Sequence, residues 1–187
     1  IMTANARKIK LEGPADVPCV SCAIGKARKK RISKQNLVSR SKIPGERLFL
    51  DISSQKVSSL GGNMHWLLML DDCTDNSFSF FLKEKSQTSE VMIPFLKLLE
   101  RHFGKGVKYI RCDNSGENKA LQTECKKAGL GISFEYTAPG TPQQNGRVER
   151  KFATFWGRMR TMMAGGDFSL RMKQLLWCEA ANTTTDF

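Results

Sequence analysis

The chain predicts an α/β domain: one mixed five-stranded sheet, three antiparallel strands and then two parallel ones, flanked by helices. Three observations carry this. Three short apolar runs follow one another with only turns between them. A helical segment with apolar residues at three- and four-residue spacing then leads to a fourth run, and a shorter helix leads to a fifth. A helical crossover between strands of one sheet makes the strands parallel, whereas short turns make them antiparallel.

RLFLDIS, from Arg47, is the first strand, and SSQKVSSLGGN a long turn marked by Gly61 and Gly62. MHWLLMLDD is the second, its continuous apolar run suiting a central position buried on both faces. After the turn CTDN, SFSFFLKEK is the third, completing an antiparallel meander. SQTSEVMIPFLKLLERHFG reads as a helix whose inner face carries Val91, Phe95, Leu98, Leu99 and His102 or Phe103, stopped at Gly104. VKYIRCD is the fourth strand, parallel to the first. Residues 118–128 form a short helix ended by Gly129, and GISFEYT is the fifth strand.

TPQQNGRVERKFATFWGRMRTMM follows a Pro139–Gly140 turn. Thr141 suits an N-cap, Pro142 the first helical position and Gln144 the capping-box position. Phe152, Phe155, Trp156 and Met159 form the stripe that docks this helix on the sheet. Gly146 marks either a close backbone approach or a later helix start. SLRMKQLLWCEAANTTTDF is a last helix packing through Leu170, Leu175, Leu176 and Ala180. This order of elements is the ribonuclease H-like arrangement.

Charge is uneven along the 187 residues. Residues 1–47 carry 12 Lys/Arg against 3 Asp/Glu, residues 48–149 carry 12 of each, and residues 150–187 carry 6 against 3. A net charge of +12 flanking a neutral body points to a polyanionic partner. No apolar stretch approaches the ~20 residues needed to span a bilayer. Six scattered cysteines are no disulfide scaffold and fit a reducing compartment. Cys19 and Cys22 alone are paired by short spacing, and this C-x2-C reads as half of a tetrahedral zinc site. The run that follows, residues 26–31, is basic at every position but Ala27, and suits solvent, nucleic acid or a localisation signal equally. Residues 1–32 are read as the remnant of an N-terminal segment, 33–46 as a polar linker and 47–187 as the main domain, cut short at its C-terminus.

Three acids organise the main domain. Asp51 and Asp113 each close a strand, and Glu149 lies about two turns into the capped helix, with 35 residues between Asp113 and Glu149. Asp71 and Asp72 compete with Asp51 for the first position. Because the second strand runs antiparallel to the first, their carboxylates emerge at the other end of the sheet, where they shape a turn with Thr74 and Asn76. If the fourth strand parallels the first, Asp113 emerges beside Asp51. Carboxylates so grouped suit hard Mg2+ or Mn2+ and phosphoryl transfer. Gln143, Asn145 and Arg147 at the helix start are candidates for gripping a polyanion through its phosphates, which the resemblance below makes DNA. Lys151, Arg158 and the run Lys26, Arg28, Lys29, Lys30 and Arg31 extend that track.

At this point the sequence resembles the integrase region of copia-type retrotransposon polyproteins. The matching stretches are PCVSCAIGKARK, RLFLDIS, WLLMLDDCTDNSFSFFLKEKS, VKYIRCDNSGE, APGTPQQNGRVERK and LWCEAANTT, together spanning roughly residues 18–183. The resemblance implies a ribonuclease H-like core whose triad, at Asp51, Asp113 and Glu149, holds two divalent metal ions and joins element DNA to host DNA after trimming its 3′ ends. It also implies a zinc-binding HHCC segment whose cysteines match Cys19 and Cys22, with Zn2+ held only in the full-length protein. Double-stranded DNA as partner, self-association, and action in the nucleus after a cytoplasmic stage follow from it. Two other readings share the fold: an RNA–DNA hybrid nuclease, which typically needs a fourth acid that the sequence does not place, and a non-catalytic DNA-binding or assembly module.

Overall fold

A computed structural model describes residues 39–137, 145–166 and 168–185. Five strands, β1 (Arg47–Ser54), β2 (His65–Asp71), β3 (Ser77–Leu82), β4 (Tyr109–Cys112) and β5 (Ser133–Tyr136), form one sheet in the order β3-β2-β1-β4-β5. β1 pairs antiparallel with β2 and β2 with β3, while β4 runs parallel to β1 and β5 parallel to β4. The sheet is the one the sequence predicts.

Alternation along the strands sends side chains to two helical layers. Leu48 and Leu50 of β1, with Leu67, Met69, Ile110 and Cys112, face α1 (Thr88–Phe103) and α2 (Gly116–Lys127). Phe49, Trp66, Leu68 and Leu70 face α3 (Gly146–Gly165) and α5 (Trp177–Thr184), with the short α4 (Leu170–Leu175) between them in sequence. β2 is buried on both faces, which explains its unbroken apolar run. Trp66 anchors the second layer, fully buried against Phe152, Phe155 and Trp156. A large apolar side chain so buried contributes about 1.5–3 kcal/mol.

Four expectations are corrected or sharpened. The inner face of α1 is Thr88, Met92, Leu96 and Leu99, whereas Leu98 is 55% exposed and Phe103 41%. Both stripes have helical spacing, so periodicity alone could not choose between them. Val91 and Phe95 pack on the edge of the core, Phe95 against Phe78 and Phe80 with ring centroids 4.9 Å away. Second, the last helix is two helices: the chain turns at Leu176, seating Trp177, Cys178, Ala180 and Ala181 on the sheet. Third, the described part of α3 starts at Gly146, the later start that this glycine left open; the expected cap at Thr141, Pro142 and Gln144 lies outside the described residues. Fourth, α2 opens at Gly116, two residues before the expected start. Gly104, at φ 66, ends α1 in the left-handed region as anticipated.

Residues 40–46, read from sequence as linker, are part of the unit Arg40–Phe187. Ser41 is buried and donates its amide to Asp72, and the Glu46 carbonyl accepts from Lys108 and Tyr109.

Candidate nucleic acid-processing site

β1 continues three residues past Asp51, so this acid is the fifth of eight strand residues and does not end the strand. The parallel register pairs Phe49 with Arg111, and two residues further along each strand it brings Asp51 level with Asp113. Both lie on the Phe49–Arg111 side of the sheet, since their neighbours Leu50, Ile52 and Cys112 face the other layer. That side is the one α3 covers. Glu149 stands in the first turn of α3, nearer the helix start than the sequence suggested, where the helix dipole favours a carboxylate.

The three acids differ in surroundings. Asp51 is half-buried, and its Oδ1 accepts from the Ile52 amide at 2.9 Å. Burial pushes its carboxyl up to about 6; the charges of Asp113 and Glu149 push the same way, against the Ile52 amide and Lys85. Asp113 is exposed just past β4, its Oδ1 accepting from Asn118 Nδ2 at 2.6 Å. Glu149 is exposed. The acids are therefore close enough for two of them to perturb the third. Oxygen donors of this kind suit a hard divalent ion. Their spacing does not: among the described residues, no three His, Cys, Asp or Glu side chains stand close enough to hold one metal. In this arrangement the donor chemistry fits a metal and the geometry does not.

Neighbouring residues that the sequence did not single out help explain this. Asn118 is 2% exposed and ties both the Asp113 carboxylate and, at 3.2 Å, the Asp113 carbonyl. Its own buried Oδ1 has no hydrogen-bond partner among the described residues. Asn118, Leu121 and Cys125 share the inner face of α2, so a polar residue in an apolar stripe was the available signal. Lys85 pairs with Glu117 at 2.9 Å and lowers the tendency of Asp51 to bind a proton. Cys112 lies one residue before Asp113, and burial, helped by Asp113 and Asp51, pushes its thiol up to about 12. It stays protonated and is no nucleophile.

The expected DNA-gripping residues are mostly committed elsewhere. Asn145 is 5% exposed; its Nδ2 donates to the Leu50 carbonyl at 3.3 Å, and its buried Oδ1 has no hydrogen-bond partner among the described residues. It anchors the start of α3 beside Asp51, an intramolecular role in place of a surface one. Arg147 binds the Asp72 and Asp75 carboxylates and lies over the Phe49 ring. Lys151 reaches the Asp75 carbonyl at 3.4 Å, and Arg158 the Thr184 carbonyl at 3.3 Å. Gln143, the basic run Lys26, Arg28, Lys29, Lys30 and Arg31, and the Cys19–Cys22 pair lie outside the described residues.

At the opposite end of the sheet Asp71 shapes the turn with Thr74 and Asn76 as expected, whereas the Asp72 carboxylate ties in more distant segments. Asp71 Oδ2 accepts from the Thr74 amide and hydroxyl at 2.9 and 2.7 Å. Asp72 takes the Ser41 amide, Arg47 and Arg147. Arg147 and Glu149 are two residues apart on α3, about 200° around the helix, so one turn reaches both ends of the sheet.

The topology defines a ribonuclease H-like α/β domain. The chain is 33% identical over 176 residues, 92% of its length, to the retrovirus-related Pol polyprotein from transposon TNT 1-94 of Nicotiana tabacum. It is 32% identical over 133 residues, 71% of its length, to that from transposon RE1 of Arabidopsis thaliana. It spans only 13% and 9% of those two polyproteins. Among solved structures it resembles a chain of the simian T-cell lymphotropic virus intasome in complex with PP2A regulatory subunit B56 gamma. There the TM-score is 0.61 at 18% identity, covering 89% of this chain and 55% of that one. The HTLV-2 integrase catalytic core domain in complex with magnesium gives a TM-score of 0.50 at 16% identity, covering 78% and 86%. No protein-family profile matches. The homology places the chain among retrotransposon Pol polyproteins, and the likeness to the solved retroviral chains shows the shared ribonuclease H-like fold.

Proposed function

We propose that this chain is a DNA-engaging core module of a retrotransposon integrase. The observation that carries the proposal is the placement of Asp51 level with Asp113 in the parallel register, on the side of the sheet that the first turn of α3, with Glu149, covers. The net charge of +12 supports a polyanionic partner. Double-stranded DNA, self-association and action in the nucleus after a cytoplasmic stage belong to the same proposal. Among the described residues no helix is long and apolar enough to cross a membrane.

Two readings of the acid site divide on specific observations. In the first, the module binds DNA and assembles without chemistry of its own; the spacing of the acids favours it, because they do not form a metal-holding group as they stand. In the second, Asp51, Asp113 and Glu149 draw together, hold Mg2+ or Mn2+ and support end processing and strand transfer; the repulsion that Asp113 and Glu149 add to the effect of burial on the Asp51 carboxyl favours this. Divalent ions there would stabilise charge on phosphoryl oxygens. Zn2+ at Cys19 and Cys22 would require ligands beyond these two.

One assay separates the readings: strand transfer on an oligonucleotide duplex with Mg2+ or Mn2+, with Glu149→Gln as control. Metal-dependent product lost in the variant establishes the second reading. DNA binding that is equal in both proteins, with no product from either, establishes the first. DNA affinity measured against salt locates the contacts. Because Arg147 and Lys151 are engaged by the turn between β2 and β3, Arg147→Ala should leave the salt slope nearly unchanged, whereas neutralising residues 26–31 should flatten it.

A further inference from the structure

The second half of α3, the end of α4 and the start of α5 carry a feature the acid site does not use. An open groove of about 320 Å3 lies between them, within the range of ligand-binding clefts. Its floor is Trp156, Met159, Met163 and Trp177, and its lining surface is overwhelmingly apolar. Arg160 and Lys173 stand at its sides. Beside it the chain exposes Met162, Phe168, Leu170 and Met172, the last two at 75% and 40%. Apolar surface so concentrated marks a docking site more often than chance exposure.

Charge selects the occupant. Residues 150–176 contain six Lys/Arg and one acid, Asp167. A second copy of this chain meeting the groove about a two-fold axis would set basic side chains against basic side chains. A nucleic acid duplex satisfies the basic sides but offers nothing to fill an apolar floor. We propose that this groove docks an acidic amphipathic segment of another protein, its apolar residues seated on Trp156, Met159, Met163 and Trp177 and its carboxylates facing Arg160 and Lys173. An amphipathic helix with anchors at i, i+3, i+4 and i+7 is the form such grooves take up. The docking is independent of Asp51, Asp113 and Glu149.

The test uses the full 187-residue chain and two synthetic 16-residue helical peptides with Leu anchors at that spacing, one carrying Glu on its flanks and its twin carrying Lys. Neither contains Trp, so the fluorescence of Trp156 and Trp177 reports occupancy, with calorimetry for affinity. The Glu peptide should bind at least tenfold more tightly than its twin. Charge reversal in the Arg160→Glu/Lys173→Glu protein should invert that preference. Ala164→Arg, at an exposed lining position, should weaken binding at least tenfold with its Tm unchanged. Equal binding of the twins, no binding of either, or indifference to Ala164→Arg overturns the proposal. So does a 20-base-pair duplex that quenches the groove tryptophans where the Glu peptide does not, which would assign the surface to DNA. A dimer in ultracentrifugation that Ala164→Arg dissolves would assign it to a second copy.

Discussion

The two ends of β1 use the same residue types to opposite effect. At the turn end, Asp71, Asp72 and Asp75 are each surrounded by donors. Arg40 reaches the Asp72 and Cys73 carbonyls and the Asp75 carboxylate at 2.6–2.8 Å. Arg47 joins Asp72 to Glu135, which also holds Arg111. Partial burial works to raise the Asp75 carboxyl, yet Arg147 and Arg40 hold it below the usual carboxylate value. At the other end, Asp51 and Asp113 accept hydrogen bonds from Ile52 and Asn118, but none of Asp51, Asp113 and Glu149 forms a salt bridge among the described residues. Burial with like charge pushes Asp51 upward there, where an ion pair would push it down. Acids that a protein pairs internally hold the fold, and acids it leaves repelling one another are poised for a cation or a substrate.

The largest effect that would test this contrast is at Asp72. It is 3% exposed and bound by two arginines and an amide, so Asp72→Ala should cost about 3–5 kcal/mol in urea unfolding by leaving buried cations uncompensated. Arg147→Ala removes one of several partners and should cost about 2 kcal/mol. It should also loosen the first turn of α3, weakening the influence of Glu149 on the Asp51 titration measured by NMR.

Asp51→Asn should act in the other direction, gaining about 1–2 kcal/mol at pH 7.5. The folded Asp51 carboxyl titrates near 6, above its unfolded value. The folded state therefore holds the proton more tightly, and this contribution to stability is fully present below about pH 4 and lost as pH rises through 6. Wild-type stability should fall across that window while the Asn variant stays flatter, so the two should converge at pH 4. Asp113→Asn is the smallest: at an exposed position it should change stability by less than about 0.5 kcal/mol. By removing one like charge it should still lower the Asp51 midpoint. A midpoint that does not move would remove Asp113 from the site.

Much of this was legible in the residues. Strand order and polarity followed from which runs are joined by turns and which by helices, and polarity alone separated Asp51 from Asp71 and Asp72. The stripe Phe152, Phe155 and Met159 docks α3 as its spacing indicates, though Val148, fully buried, belongs with it. The inner face of α1 was not legible, because Val91–Phe95–Leu98 and Met92–Leu96–Leu99 have equal claims by period and only the sheet beneath decides. The roles of Asn145 and Arg147 were hidden for a related reason. A polar residue at a helix start looks the same in sequence whether it meets solvent, DNA or a strand carbonyl 95 residues away.

By itself, then, the sequence determined the sheet, the order of its elements and the acids that share one side of it, since hydrophobic period and connection length are local properties. Tertiary structure alone decided which cations were already taken and which acids were left unpaired. It also decided how far apart those acids stand. Pairing and distance depend on where α3 lands on β1, and that is settled by packing between residues remote in the chain.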